Sequence, residues 1–414
     1  MFGVDPEPWT PPTGADRLAR NLAVTPVALQ EVPDARPLRD DWVVTRPILT
    51  GICGSDSKQV LLDFEGDSDS AMSGFCSFPQ VLGHEVVAEV ESLGPDSTAA
   101  EARGLEPGVR VVLDPWLTCV TRGVSPVCPA CEAGDHSLCW SFTTGDVSAG
   151  LHTGVSSDAT GGYAELMPAH PSMLHPVPGS IGDDAAVLAD PFSVSLHSVT
   201  RHPPPAAGRV VVWGAGALGT CALAILKAVY PDVAVAVVAR FDAQAALAEQ
   251  LGADLVVRLG SQAELLEELA AWSGGVLQPT MEGLGGLPMC HPGGVDVVYD
   301  TVAKPETLEI GVRVLKARGT LVKSGVHAPG RWEWSPLYFK EISWVGSNAF
   351  GVEEVEGERR HAIDHYLAMV EAGRIDLTPM LTHTFGLSDW RAAFLAVADQ
   401  ASSGAIKVAI DPSR

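Results

Sequence analysis

The feature that most constrains the fold is a regular alternation of strand-like and helix-like segments in the second half of the chain. Apolar, largely β-branched runs recur at residues 210–213, 233–238, 255–257, 295–299, 320–323 and 342–345. Helical stretches lie between several of them, including residues 243–251 and 265–272. Strands that alternate with helices pair in one direction, so this pattern predicts an α/β fold with a doubly wound parallel sheet.

A glycine-rich turn follows the first of these strands. It reads Gly-Ala-Gly-Ala-Leu-Gly at residues 214–219, and a helix is expected after it. The motif alone is weak, but between a strand and a helix its glycines permit a tight turn and the close approach of a pyrophosphate, which then faces the helix N-terminus. We therefore predict a dinucleotide site that includes Gly214, Gly216, Leu218 and Gly219.

The end of the second strand bears on which nucleotide binds. An acidic residue there would favour a free ribose 2′-hydroxyl, but the chain has Ala239 followed by Arg240. A guanidinium can form charge-assisted hydrogen bonds with a 2′-phosphate, so NADP(H) is favoured over NAD(H). The alternative is that Arg240 is solvated and Asp242 reaches the ribose.

The first part of the chain, to about residue 185, has a different pattern. Short strand-like runs, such as residues 42–45, 86–90 and 110–113, are separated by Gly and Pro turns, which predicts a mostly β domain. Two stretches rich in turn residues, 57–80 and 274–294, are expected to form loops. A free thiol is the preferred interpretation of Cys76 in the first of them.

One segment of the β domain contains a thiol, an imidazole and two carboxylates. Cys53 and Asp56 lie near its start, and His84 and Glu85 at its end. Thiolate, imidazole and carboxylate together are the ligand set of a borderline-soft metal such as zinc. Considered alone, Cys53 and His84 would be two core residues, and the zinc interpretation depends on the other motifs of the chain.

A second cysteine-rich stretch supports a zinc-binding protein. Its pattern, Cys-x8-Cys-Pro-Ala-Cys-x7-Cys, can surround zinc tetrahedrally and consists of Cys119, Cys128, Cys131 and Cys139. Four thiolates leave no open position, so this zinc is expected to be structural. Pro129 and the two additional cysteines disfavour a redox CxxC pair.

Composition excludes several classes of partner. The 414 residues include 27 basic and 51 acidic side chains, for a net charge of −24, which disfavours nucleic acids and anionic membranes and therefore also a zinc ribbon. The uncharged stretch between Arg209 and Lys227 is interrupted by glycines and is better explained as strand, turn and helix than as a membrane span. No secretory signal is visible, so a cytoplasmic protein is expected.

With these motifs in this order, the chain resembles the zinc-containing medium-chain dehydrogenase/reductase family over nearly its whole length. The resemblance implies a GroES-like catalytic domain formed by residues 1–188 and 348–414, with the cysteine lobe at 119–139. It implies an inserted Rossmann domain at 189–347. Because the family is commonly dimeric or tetrameric, a homodimer or homotetramer is expected.

The resemblance also implies the zinc ligands. Cys53, His84 and Asp190 would bind a catalytic zinc, and Glu85 would be a neighbouring or exchangeable ligand. One thiolate, one carboxylate and a neutral imidazole balance the charge of Zn²⁺ and leave one position open, so the ion can act as a Lewis acid. Together with the cysteine lobe, this implies two zinc ions per chain.

Two further residues receive roles from the resemblance, and Trp116 receives one from its position just before the cysteine lobe. Ser55 stands where the family has the residue that takes the alcohol proton, and Asp56 where a carboxylate orients the histidine ligand. Trp116 is a candidate for the substrate wall. The alternatives are a turn residue for Ser55 and a buried structural residue for Trp116.

The chain departs from the family pattern at two motifs. Lys58 stands where some members have the histidine that ends a proton relay. The cysteine lobe has a longer gap after Cys119 than the usual two residues, and Ser125 occupies the usual position.

The sequence thus predicts a zinc-dependent oxidoreductase that interconverts a small-molecule alcohol and an aldehyde or ketone with NADP(H). One alternative is a zinc-independent NADPH reductase of activated double bonds on the same scaffold. Another is a non-catalytic protein that binds zinc and nucleotide. Zinc content distinguishes them, because either alternative needs only one zinc per chain.

Overall fold

The computed structural model describes residues 1–63, 71–280, 286–327 and 330–414. They form two compact units, one made of Met1–Asp190 with Arg360–Arg414 and the other of Pro191–Arg359. The domain boundaries predicted at 188/189 and 347/348 stay predictions. Residues 64–70 of the first predicted loop and 281–285 of the second lie outside the described residues.

The strands are short, as the frequent Gly and Pro turns predict. They are β1 (Val43–Gly51), β2 (Glu85–Leu93), β3 (Arg110–Leu113), β4 (Met167–Ala169), β5 (Leu174–Pro176), β6 (Arg209–Trp213), β7 (Ala234–Ala239), β8 (Leu255–Arg258), β9 (Leu277–Gln278), β10 (Met289–Cys290), β11 (Val295–Asp300), β12 (Leu315–Lys323), β13 (Ser343–Gly346), β14 (Val352–Val355), β15 (Glu358–His361), β16 (Leu381–Gly386) and β17 (Lys407–Asp411).

The longer helices follow β5, whereas those before it have seven residues or fewer. They are α1 (Arg17–Asn21), α2 (Gly54–Val60), α3 (Thr98–Glu101), α4 (Pro129–Ala133), α5 (Asp183–Ala186), α6 (Ala189–Arg201), α7 (Ala217–Val229), α8 (Asp242–Gln250), α9 (Gln262–Ser273), α10 (Pro305–Val314), α11 (Ser335–Phe339), α12 (Ala362–Glu371), α13 (Trp390–Ala398) and α14 (Gln400–Ser403).

The first unit is built on a seven-stranded sheet whose strands come from two separate parts of the chain, residues 43–176 and 381–411. Its strand order is β16-β17-β1-β2-β3-β5, with β4 paired to β1. Every pair is antiparallel except β16–β17. The predicted β domain is confirmed, and the C-terminal strand β17 completes it by pairing with β1 at Thr50 and Gly51.

The second unit contains a six-stranded parallel sheet in the order β13-β12-β11-β6-β7-β8. The six predicted strands and both predicted helices are confirmed. Val211, Val238 and Val298 pack in one core with helix residues such as Leu266, which explains why these strands read as continuous apolar runs. The direction of winding reverses at β6, where β11 lies on one side and β7 on the other, and ligands of such sheets bind at the carboxyl ends of the strands there.

The uncharged stretch after Arg209 forms β6, a turn and α7, as expected. Across the described residues, the helices are all too short or too polar to cross a bilayer.

Candidate active site

Three of the predicted ligands meet at one end of the β1–β2 pair. Gly51 on β1 is aligned with Glu85 on β2, so Cys53, just after β1, comes close to His84, just before β2. One donor atom each of Cys53, His84 and Glu85 lies within 4.8 Å of the others. In the sequence, Cys53 is about thirty positions before His84 and Glu85. The antiparallel register of the strands brings them together.

Asp190, on the first turn of α6, is buried near this group. Among the described residues, it is not one of the three whose donor atoms lie within 4.8 Å of one another. Its pKa is raised to about 7, first by burial and then by the charge of Glu85, while His84 and Lys407 oppose the rise. The carboxyl group is therefore close enough to respond electrostatically to two of the three donors.

Glu85 has a partner that sequence reasoning missed. Lys407, on β17, forms an ion pair with Glu85, and both side chains are only 2% exposed. The Lys407 ammonium also donates to the carbonyl of Ile52 at 3.0 Å. Burial by itself lowers the pKa of Lys407, but the charges of Glu85 and Cys53 raise it above its ordinary value. A lysine within the apolar run 405–410 was the available sequence signal.

Asp56 caps the start of α2 and accepts a hydrogen bond from Tyr163, a second residue that the sequence did not reveal. Its Oδ2 accepts from the backbone N–H of Cys53 at 3.3 Å and from the hydroxyl of Tyr163 at 3.0 Å. Its Oδ1 lies 3.6 Å from His84 Nδ1. Burial raises the pKa of Asp56, and burial together with the Asp56 charge raises the pKa of Tyr163 well above 10. Tyr163 therefore remains a hydrogen-bond donor.

Aromatic rings cover His84. The ring centroid of His152 is 4.4 Å from that of His84, and Trp116 meets His152 edge-on at 5.7 Å. Burial, followed by the charge of His84, lowers the pKa of His152 to about 3. Trp116 is 7% exposed, so the predicted substrate-wall residue is a largely buried side chain that contacts the site through His152.

Ser55 is exposed on the first turn of α2, two residues after Cys53. The extended conformation of Cys53 at the N-cap position places Ser55 within the first helical turn. The Ser55 hydroxyl is therefore open to solvent next to the thiol of Cys53.

The four cysteines of the predicted lobe also converge, with donor atoms within 4.8 Å of one another. Their sulfurs accept several backbone N–H groups: that of Cys128 binds Cys119 Sγ at 3.3 Å, and that of Ser141 binds Cys139 Sγ at 3.3 Å. The pKa of Cys139 is lowered to about 5, first by its hydrogen bond with Cys131. Four thiols supported by N–H donors suit a closed, tetrahedral zinc site.

The lobe has an internal support that the sequence did not reveal. Arg122 is fully buried and donates to the carbonyls of Leu117, Thr144, Val147, Ser148 and Gly150 at distances of 2.6 to 3.2 Å. These bonds connect Leu117, which precedes the lobe, to residues 144–150, which follow it. The hydrogen bonds satisfy the guanidinium, which would otherwise be costly to bury.

In the second unit, the glycine turn has the geometry expected of a nucleotide loop. Gly214 has φ +93°, and a Cβ on Gly219 would overlap the carbonyl oxygen of Gly214. Gly216 is the N-cap of α7 and has no side chain to occupy the first N–H groups of the helix. Those groups are available to a phosphate.

The end of β7 presents Arg240 as an exposed residue whose guanidinium lies 5.1 Å from the centre of the Phe241 ring. Asp242 forms an ion pair with Arg258, which also donates to the carbonyl of Phe241 at 3.2 Å. The carboxylate that could reach a ribose is thus already paired with an arginine. Arg258 is a further basic residue at this position that sequence reasoning missed.

Comparison with known proteins places the chain. Residues 39–179 match the family model of the alcohol dehydrogenase GroES-like domain, and residues 217–364 match that of the zinc-binding dehydrogenases. The chain belongs to the zinc-containing medium-chain dehydrogenase/reductase family.

Relatives of this medium-chain dehydrogenase/reductase cover nearly the full chain. It is 23% identical to the sorbitol dehydrogenase of Halalkalibacterium halodurans over 93% of this chain and 95% of that one. It is 26% identical to the (R,R)-butanediol dehydrogenase of Saccharomyces cerevisiae over 92% and 94%. A protein of Sinorhizobium meliloti described as a zinc-binding dehydrogenase and solved with NADP shares the fold, with a TM-score of 0.68, 23% identity and coverage of 92% and 95%. The chain is therefore an oxidoreductase.

Proposed function

We propose that this oxidoreductase interconverts an alcohol and an aldehyde or ketone in a zinc-dependent reaction that uses NADP(H). The observation that carries the proposal is the convergence of Cys53, His84 and Glu85 within 4.8 Å beside the exposed Ser55. The named relatives act on sorbitol and butanediol, so we infer that the substrate is a small polyol or secondary alcohol. A homodimer or homotetramer and a cytoplasmic location stay predictions.

The donors suit a catalytic zinc held by Cys53, His84 and Asp190. A thiolate, an imidazole and a carboxylate are ordinary zinc ligands, and Lys407 compensates the additional charge of Glu85. When bound, the zinc would supply Lewis-acid activation of the substrate oxygen. A second, structural zinc would occupy the cysteine lobe, giving two zinc ions per chain.

The residues of the chain then perform the proton chemistry and the positioning. The Ser55 oxygen accepts the proton of the alcohol hydroxyl while its own hydroxyl proton passes to solvent, on which the side chain borders. Asp56 holds the backbone of Cys53 and faces His84, so it positions two donors at once. Tyr163 holds Asp56 in turn. When bound, the nicotinamide ring would supply the hydride acceptor for the substrate carbon in the oxidative direction.

The preference for NADP(H) is argued from charge. The last residue of β7 is Ala239 and not an acidic residue, and Arg240 follows it directly. A 2′-phosphate would therefore be close to a guanidinium and not to a carboxylate. Asp242 is the alternative ribose contact, but it is paired with Arg258. Because Arg258 balances the charge of Asp242, the guanidinium of Arg240 favours an anionic ligand over a neutral ribose at this edge.

Replacing Ser55 with Ala tests the proton step. We expect kcat/KM for alcohol oxidation to fall by roughly 10²- to 10⁴-fold, since the general base is lost, while zinc content stays at the wild-type level. Ser180→Ala, at an exposed serine of the same unit, is the control. Undiminished turnover in Ser55→Ala would remove this residue from the mechanism.

Replacing Arg240 with Ala tests the nucleotide assignment. One charged hydrogen bond contributes about 1.5–3 kcal/mol, so we expect the preference for NADPH, measured as the ratio of kcat/KM values, to fall by roughly ten- to a hundred-fold or more. Arg209→Ala, an exposed arginine at the start of β6, should leave the ratio unchanged. The assignment is wrong if Arg240→Ala behaves like this control.

A further inference from the structure

A third cluster of metal-binding side chains lies in the first unit, apart from both predicted zinc sites. Asp114 follows β3, His136 lies between Cys131 and Cys139, and His361 ends β15. One donor atom of each of Asp114, His136 and His361 lies within 4.8 Å of the others. Neither the family resemblance nor the proposed reaction assigns a role to these three residues.

The geometry of the cluster is that of a metal site. His136 Nδ1 and His361 Nε2 lie 3.3 and 3.2 Å from the same oxygen, Asp114 Oδ2. Tetrahedral zinc with bonds of about 2.0 to 2.1 Å requires its ligand atoms to be about 3.3 to 3.4 Å apart. A charge-assisted hydrogen bond between imidazolium and carboxylate would be shorter, at about 2.7 to 2.9 Å. The observed separations fit a shared ion better than a pair of strong hydrogen bonds.

The surroundings hold the donors in place and bury two of the three. The Asp114 and His361 side chains are 4% and 8% exposed, and that of His136 is 26% exposed. The His175 ring stacks on the His361 ring with centroids 4.3 Å apart, and its Nδ1 lies 2.8 Å from Asp364 Oδ1. His361 is therefore fixed on one face by a neighbour that has its own carboxylate partner.

One backbone contact of His361 would change on metal binding. Its Nδ1 accepts from the N–H of Ile363 at 3.4 Å, a long contact near the limit for a hydrogen bond. Coordination through Nε2 would place the ring proton on Nδ1 and break this contact. The N–H of Ile363 belongs to the first turn of α12, whose N–H groups have no acceptor within the helix, so metal binding would cost this one N–H its side-chain acceptor.

We propose that Asp114, His136 and His361 bind a divalent transition-metal ion at a third metal site of this chain. Two imidazoles and a carboxylate suit Zn²⁺, Fe²⁺ or a neighbouring ion of the series. His136 belongs to the cysteine lobe and His361 begins the segment that returns from the second unit. The ion would tie the lobe to this returning segment, so its role is to clamp two parts of one unit that are far apart in sequence.

Elemental analysis of the full-length protein tests the site. Wild type is expected to contain three metal ions per chain, and the double variant His136→Gln/His361→Gln two. His170→Gln is the matched control, because His170 is a buried histidine 3.4 Å from a carboxylate oxygen of Asp41 and belongs to the same unit. It should retain all three ions. Equal metal content in the double variant and in wild type would overturn the proposal.

Cobalt binding to the metal-depleted wild type keeps the test valid if the double variant does not fold. Co²⁺ in the cysteine lobe or at Cys53 gives thiolate-to-cobalt charge-transfer absorption, whereas Co²⁺ at Asp114, His136 and His361 gives only d–d bands. We expect one bound equivalent that adds no charge-transfer intensity. If every bound equivalent adds such intensity, the third site does not exist.

The same measurement separates this proposal from the proposed function. Cys53→Ser removes one thiolate-bound equivalent if the catalytic zinc assignment is correct and leaves the thiolate-free equivalent in place. Loss of neither equivalent in Cys53→Ser would count against the catalytic zinc alone. Absence of the thiolate-free equivalent would count against the third site alone.

Discussion

The cysteine lobe and the Cys53–His84–Glu85 group are two clusters of potential metal ligands in one unit, built in opposite ways. The lobe draws four identical donors from residues 119–139, and backbone N–H groups support their sulfurs. The other group draws unlike donors from both sides of a strand pair, and a lysine from β17 balances its charge. A closed site can be specified locally, whereas an open one depends on the register of distant strands.

The two regions also differ in what removing a donor should do. In the lobe, the proposed zinc would replace the apolar core that so short a segment cannot form, so folding and metal binding should be one process. Around Cys53, the sheet is already held by the core of the unit. The metal there should contribute to chemistry more than to stability.

The largest effect is expected from Cys128→Ser. Loss of one of four thiolates should release the lobe zinc, and structural zinc ions contribute on the order of 10 kcal/mol of apparent binding free energy. We expect the lobe of this variant not to fold. Thermal denaturation should then show a large drop in melting temperature, and the zinc content should fall.

Cys53→Ser provides the matched comparison. It should also lose one zinc and all turnover, but its melting temperature should stay within a few degrees of wild type. Cys76→Ser, at a partly exposed thiol outside both clusters, should change neither quantity. Equal destabilisation by Cys128→Ser and Cys53→Ser would contradict the distinction between a structural and an open site.

The second effect concerns the charge balance around Glu85. Lys407→Met removes the partner of a buried carboxylate, and breaking a buried ion pair from one side costs about 3–5 kcal/mol. We expect the free energy of unfolding, measured by urea denaturation, to fall by that amount.

Adding Glu85→Gln to Lys407→Met should restore most of the loss, because no unpaired charge then remains in the interior. Full stability of Lys407→Met alone would show that the charge of Glu85 is neutralised by something else, such as direct coordination to the metal. The experiment therefore separates an ion-paired Glu85 from an exchangeable zinc ligand.

The smallest effect is expected from Tyr163→Phe. Removing the hydroxyl leaves Asp56 with one donor fewer in a buried site, which costs about 1–3 kcal/mol. Because Asp56 holds Cys53 and faces His84, zinc affinity measured by chelator competition should weaken by roughly 10- to 100-fold.

Tyr366→Phe is the control for this change. The hydroxyl of Tyr366 donates to the carbonyl of Ala185 at 2.7 Å, also in a buried place of the first unit. Its loss should cost comparable stability and leave zinc affinity unchanged. If both variants weaken zinc binding alike, Tyr163 has no specific role at the site.

Three residues near the two clusters are not predicted from the sequence: Lys407, Tyr163 and Arg122. Nothing near Lys407 or Tyr163 marks them as neighbours of Cys53. The strand β17 reaches that place by pairing with β1, and the segment of Tyr163 does so by a backbone hydrogen bond to Leu82. Arg122 looks like an ordinary basic residue, although five carbonyls surround it. These contacts are long-range or made to the backbone, and neither kind leaves a residue pattern.

The sequence by itself determined the elements whose information is local. The period of apolar residues specified the strands of the parallel sheet, the glycines at 214–219 specified the turn into α7, and the spacing of four cysteines specified the lobe. Only the tertiary structure decided which carboxylates, lysines and histidines share a buried space. That choice follows from strand register and from the electrostatic cost of burying unpaired charge, which depend on residues hundreds of positions apart.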